Sequence, residues 1–129
     1  MTNQELFEGA LHLLALPTDA GENDDYEERA PFLLASFCHE ALELDSFLRM
    51  ASGITSAVKF TGMWLSLDDT FPLLEALAPA ACLYLAAMLV LDEDTSLSDR
   101  LYEIYTETLS NIRAGISCTL ESITDCYFQ

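Results

Sequence analysis

The sequence predicts an all-α fold: a bundle of about four main helices with a short β-like or irregular insertion at 53–67. Three observations predict it. Apolar residues recur at three- and four-residue spacing over most of the chain. Capping and stopping residues, among them Thr2, Pro17, Gly53 and Gly115, fall at the edges of those periodic stretches. Residues 73–91 form a run of 19 with a single charge, Glu75, as expected of a helix that neighbours surround.

The first helix spans 2–16. Thr2 and Glu5 have capping-box spacing, in which Thr2 accepts from the N3 amide and Glu5 reaches back. Leu6, Ala10, Leu13 and Leu14 keep helical period, Phe7 and Leu11 widen the stripe, and Pro17 stops it. Six acids with no accompanying base lie between Asp19 and Glu28. They read as a solvated loop running into a helix N-terminus, where the macrodipole favours Asp24, Asp25, Glu27 and Glu28. The second helix spans about 25–52 and ends at Gly53, with Pro31 kinking it or splitting off a leading turn. Its core face is Leu33, Phe37, Ala41, Leu44 and Leu48, with Ser36, Glu40, Glu43 and Arg49 mostly away from it.

Residues 53–67 break the helical period. Ile54, Val58, Phe60, Met63, Trp64, Leu65 and Leu67 with Gly53 and Gly62 suggest a hairpin or an ordered loop. Asp68, Asp69 and Thr70 offer N-caps for the third helix, and Pro72 suits its first turn. A membrane span is not expected there, because Pro79 interrupts the run and both flanks are acidic. The last long helix starts at Thr95 or Ser96 and stops at Gly115. Leu97, Leu101, Ile104, Thr108 and Ile112 line its inner face with Tyr105 and Leu109, and Asp99, Glu103 and Glu107 lie outside. Residues 116–129 fit either a short helix or an extended strap. No repeat and no linker divides residues 1–129, which read as one domain.

Composition bounds the function. Hydrophobic residues make up 51% of the 129-residue chain, which is enough for a core and argues against disorder. Against 22 Asp and Glu stand 5 Lys and Arg, a net charge of −17. Such a surface repels phosphates, so no direct nucleic-acid binding and no binding to an anionic membrane is expected. Basic protein partners suit it, and so does plain solubility. Cys38, Cys82, Cys118 and Cys126 form no C-x-x-C pair, and the N-terminus lacks a basic n-region. Reduced thiols in a cytoplasmic protein follow.

No pattern announces a chemistry. Cys38 and His39 are neighbours on a helix, point about 100° apart and make a poor nucleophile–base pair. His39 could pair with Glu43 one turn on. Asp68-Asp69 and Asp92-Glu93-Asp94 read as caps and turns, since consecutive acids do not converge on one ion and no calcium-loop or Glu-x-x-His spacing occurs. A Gly-rich phosphate loop, G-x-S-x-G and H-E-x-x-H are absent. No enzymatic activity, catalytic residue, cofactor or metal is therefore expected. The aromatics at segment ends, Phe60, Trp64, Phe71, Tyr127 and Phe128, either cap the core or mark a docking patch, and Phe60, Trp64 and Phe71 are the expected partner contacts.

Phe71-Pro72-Leu73 with the apolar run to residue 91, Asp92-Glu93-Asp94, and Leu97-Ser98-Asp99-Arg100-Leu101-Tyr102 follow one another in this order. With Glu28-Arg29-Ala30-Pro31-Phe32-Leu33-Leu34-Ala35, this pattern resembles small prophage-encoded helical proteins. Those proteins are similar in size and helix order to the head–tail connector, or head-completion, proteins of tailed phages. The resemblance covers about residues 25–115. It implies a structural adaptor, portal or tail proteins as partners, and assembly of several copies into a ring. The alternative from another class is an acidic DNA mimic that inhibits a DNA-binding enzyme, for which Asp99, Glu103 and Glu107 could begin a row of carboxylates.

Overall fold

A helix that starts at Asn3 leaves four amide donors to satisfy at its first turn. In the computed structural model, which describes residues 1–19, 21–54, 56 and 58–128, with side chains described as far as 115, helix α1 (Asn3–Leu13) solves this with a distant segment. Thr2 Oγ1 accepts from the Glu5 amide, the capping contact expected. The Asn3 and Gln4 amides donate to the carbonyls of Asp69 and Leu67 at 2.9 and 2.8 Å, and Asn3 Nδ2 donates to Ser66 O. Residues 66–71 therefore seal the start of α1. Asp68, Asp69 and Thr70 do not cap the third helix, contrary to the sequence reading.

α1 ends at Leu13, before Pro17, with Ala15 in the left-handed region at φ 57°. Leu6, Phe7, Ala10 and Leu11 are buried, whereas Leu13 is exposed and Leu14 half-buried. Helix α2 (Asp24–Ala51) runs unbroken through Pro31 and carries Asp24, Asp25 and Glu27 in its first turn, where the dipole favours them. Its buried stripe is Ala30, Leu34, Phe37, Cys38, Ala41 and Leu44; Leu33 and Leu48, placed on the core face from sequence, lie at its edges.

Asp45 is fully buried on α2 and was not anticipated. Its carboxylate accepts from Arg49 Nε at 2.7 Å and from the Leu74 amide at 2.8 Å. Arg49 also reaches Pro72 O, so it is drawn inward rather than lying outside. A buried carboxylate is tolerated only when its lone pairs are so satisfied. The consequence is local: Leu74 is held extended, and residues 71–74 cannot join the following helix. A 3-10 turn (Glu75–Leu77) precedes helix α3 (Ala78–Val90), and Pro79 rather than Pro72 occupies the first turn.

α3 is the central helix, packed against the other three and apolar on nearly all sides. Helix α4 (Thr95–Phe128) returns along it, with Asp94 Oδ1 accepting from the Leu97 amide at the start. Ser98 Oγ donates to Ala87 O at 2.8 Å across the α3–α4 contact. The buried stripe of α4 is Ser98, Leu101, Tyr105 and Leu109; Ile104, expected inside, is 39% exposed. Gly115 does not end the helix, and the backbone of 116–128 is helical rather than a strap. Phe37, Tyr84 and Tyr105 meet in the middle with ring centroids 5.3–6.1 Å apart. Residues 53–67 contain no strand among those described, and the only β contact among the described residues is an isolated bridge between Thr2 and Thr70. The all-α helical bundle is as expected, with the insertion irregular rather than β-like.

Candidate interaction surface

One face of α2 faces solvent over most of its length. At 100° per residue, Phe32, His39, Glu43, Phe47 and Met50 fall within about 80° of one another, opposite the buried stripe. All five are exposed. Phe32 and Phe47 are each 49% exposed and Met50 is 72% exposed, which is unusual for three large apolar side chains on one helix face.

The irregular segment flanks this face. The Leu65 amide donates to Pro31 O at 3.1 Å. His39 Nε2 donates to Gly62 O at 2.6 Å, and the His39 ring packs on Phe60 with centroids 4.7 Å apart. Residue 65 thus lies beside 31 and residue 62 beside 39. The segment therefore runs antiparallel to α2, bent at 62–63 and pinned at both ends. Trp64, at 62% exposure, and Met63, at 49%, project from it.

Of the three contact residues expected from sequence, the structure brings two together. Trp64 is exposed and Phe60 is half-buried on the same pinned segment. Phe71 is not part of the surface: it is 6% exposed and stacked against Phe37 in the core, its centroid 6.4 Å away. The side chains of Tyr127 and Phe128 lie outside the described residues, as do those of Cys118 and Cys126. Sequence reasoning missed Phe32, Phe47 and Met50. The signal for Phe47 and Met50 was present, since both fall on the Glu43 side of the helical projection, away from the core stripe.

Comparison with known proteins gave no match. Neither a family model, nor a curated protein, nor a solved structure is significantly similar to the chain.

The surroundings of the surface are acidic. Glu28, Glu40 and Glu43 are exposed on α2. Arg29 is engaged elsewhere: it lies 3.6 Å from Asp25 and 3.9 Å from Asp92, and it donates to Met88 O. Arg49 is held by Asp45. Lys59 is exposed beside Phe60. His39 turns to the 60–62 backbone and ring rather than to Glu43, and it stands apart from the buried Cys38.

The remaining polar features bind the fold together. Tyr26 donates its hydroxyl to Glu93, and burial together with that carboxylate pushes the phenol up to about 12. An open cleft of about 230 Å³ beside it is lined by Glu22, Asp24, Asp25 and Glu93, and a second of about 160 Å³ lies next to α1 around Glu8, Asp19 and Glu27. No group of three His, Cys, Asp or Glu side chains among the described residues is arranged to hold a metal ion. Cys38 and Cys82 are free thiols. Burial pushes Cys38 up to about 12, with Asp45 adding to the rise, and burial also raises Cys82. Both therefore stay protonated at neutral pH, where a thiol is a poor nucleophile. Among the described residues no helix is long and apolar enough to cross a membrane.

Proposed function

We propose that the protein is a non-enzymatic interaction protein that docks a protein partner on the strip formed by the outer face of α2 and the 60–65 segment. Trp64 carries this reading. A Trp ring buries 150–250 Å² when covered, so shielding its exposed part would contribute on the order of 2–3 kcal/mol to a complex. Leaving it 62% exposed on a segment already pinned to α2 sets that contribution aside for a second molecule. The pinning limits the ordering cost of binding.

Within this reading the protein acts in the cytoplasm as a connector-type structural adaptor of a phage or prophage, with portal or tail proteins as partners. That assignment rests on the sequence pattern of residues 25–115. Tagged wild-type protein and a Met63→Ser/Trp64→Ala variant test both levels in nuclease-treated lysate of prophage-induced cells. Proteins held by the wild type and lost by the variant are the expected result, with virion components among them. Identical retained sets would overturn the docking strip, and a Trp64-dependent set without virion proteins would overturn the adaptor assignment.

A second reading is favoured by one observation. Asp99, Glu103 and Glu107 are all exposed along α4, each about 6 Å further along the axis, a row that could imitate the phosphates of DNA. Arg100, exposed beside them, interrupts the row. A salt-sensitive complex with a basic DNA-binding enzyme, lost on neutralising these three acids, would establish the mimic in place of the adaptor.

A further inference from the structure

We infer that the segment received by this strip is basic and amphipathic, with apolar residues at its two ends and Lys or Arg between them. The inference rests on the docking reading above and adds the chemistry of the partner. The strip has a fixed order. Phe32, with Trp64 on the neighbouring segment, stands at one end, and Phe47 and Met50 stand at the other. Glu43 lies between them on the face, and Glu40 lies between them at its edge, close to the Tyr105 hydroxyl; both carboxylates are exposed. The distance from Phe32 to Met50 is 18 helical steps, or about 27 Å.

The arginines of α2 do not balance those carboxylates. Arg29 is occupied by Asp25 and Asp92, and Arg49 is turned into the core against Asp45. His39, on this face, is held by Gly62 O, and Lys59, exposed beside Phe60, sets a single charge against the two carboxylates. A docked apolar segment would desolvate Glu40 and Glu43, and without counter-charges that desolvation opposes binding. Cations at the matching positions remove the penalty and steer the encounter. Exposed ion pairs contribute little each, so the two apolar ends supply the affinity and the central carboxylates supply the selection. A second copy of the chain is the wrong occupant, because two bodies of charge −17 repel and the strip would meet its own acids.

Trp64 is the only tryptophan in the chain, so its emission reads docking directly. The probes are three Trp-free helical peptides of about 18 residues, enough to span the strip at 1.5 Å per residue. Each has Leu at both ends, and the centre carries Lys, Gln or Glu. The Lys peptide is expected to shift Trp64 emission to the blue, saturably, and to bind about tenfold tighter than the Gln peptide at low ionic strength, with the gap closing as salt rises. Glu40→Gln with Glu43→Gln is expected to weaken the Lys peptide several-fold. Asp99→Asn with Glu103→Gln, which removes two charges on α4, is expected to leave its affinity within about twofold if the site is local.

Equal affinity for the Lys and Gln peptides overturns the inference and leaves the docking strip standing. Equal weakening by the two pairs of substitutions also overturns it, since the attraction would then belong to the whole charge. No shift of Trp64 emission with any of the three peptides overturns the docking strip itself.

Discussion

Ala15 and Gly53 do the same job under different conditions. Each is the residue just past a helix end, in the left-handed region, at φ 57° and 78°. Each donates back three residues, to His12 O and Met50 O, and each is followed by a residue bonded five back, Leu16 to Leu11 O and Ile54 to Arg49 O. This is the Schellman closure, and it favours glycine because a Cβ there meets the backbone. Gly53 was legible in the sequence for that reason. Ala15 was not, since alanine is the best helix former and Pro17 offered a later stop. The placement of Ala15 costs about 1 kcal/mol by the same sterics. Ala15→Gly is therefore expected to stabilise the protein by roughly 0.5–1 kcal/mol and Gly53→Ala to destabilise it by about 1–2 kcal/mol. Urea unfolding of the two variants checks both signs. A lowered midpoint for Ala15→Gly would show that the flexibility glycine adds to the unfolded chain outweighs the relief of strain.

Helix boundaries moved where a distant group competed for the backbone. The third helix was expected to start near residue 70, but the Leu74 amide belongs to Asp45 and the carbonyls of 67 and 69 belong to α1. No local pattern announces partners that far apart in sequence, although Asp45 and Arg49 did stand at pairing distance on one helix. Gly115 misled for a different reason: a mid-helix glycine costs only about 1 kcal/mol, which does not oblige a helix to end. Gly9 was passed over in the sequence, yet it sets how closely α1 and α3 approach. A Cβ there would lie 2.8 Å from Cys82 Sγ, and that thiol already donates to Leu6 O. Gly9→Ala gains about 1 kcal/mol in helix propensity and loses about 1–3 kcal/mol to overpacking. The single variant is expected to be less stable by about 1 kcal/mol, and the same substitution in a Cys82→Ala background to be more stable by about as much. Additive effects in that double-mutant cycle would show that the helices part easily at this point.

At the scale of the molecule, charge and apolar pattern made the class legible: a helical bundle around one apolar helix, with acids outside. The way the irregular segment lies on α2 was not legible, because one anchor, Pro31 O, is a backbone group any residue could supply, and the other joins His39 to Gly62 O and Phe60 across a long sequence separation. The core holds a further property that composition hides. Burial raises the thiols of Cys38 and Cys82 and the phenols of Tyr26, Tyr84 and Tyr105 above their ordinary values of 9.0 and 10.0. The folded state then holds protons that the unfolded chain gives up, so stability is complete below about pH 9 and falls as pH rises from there towards 12. Tyr105 is the sharpest case. It is fully buried, its hydroxyl has no partner in hydrogen-bond geometry, and Glu40 stands close enough to oppose a phenolate. Tyr105→Phe is expected to be neutral or to stabilise by up to about 1 kcal/mol at pH 7, because it removes an unsatisfied buried hydroxyl. It is also expected to flatten part of the alkaline decline. Urea midpoints from pH 7 to 11, measured in high salt to screen the general repulsion of a −17 chain, separate this local effect from the global one. A wild-type midpoint unchanged to pH 11 would mean that these groups ionise in the fold as freely as in water, and that the ring cluster is open to solvent.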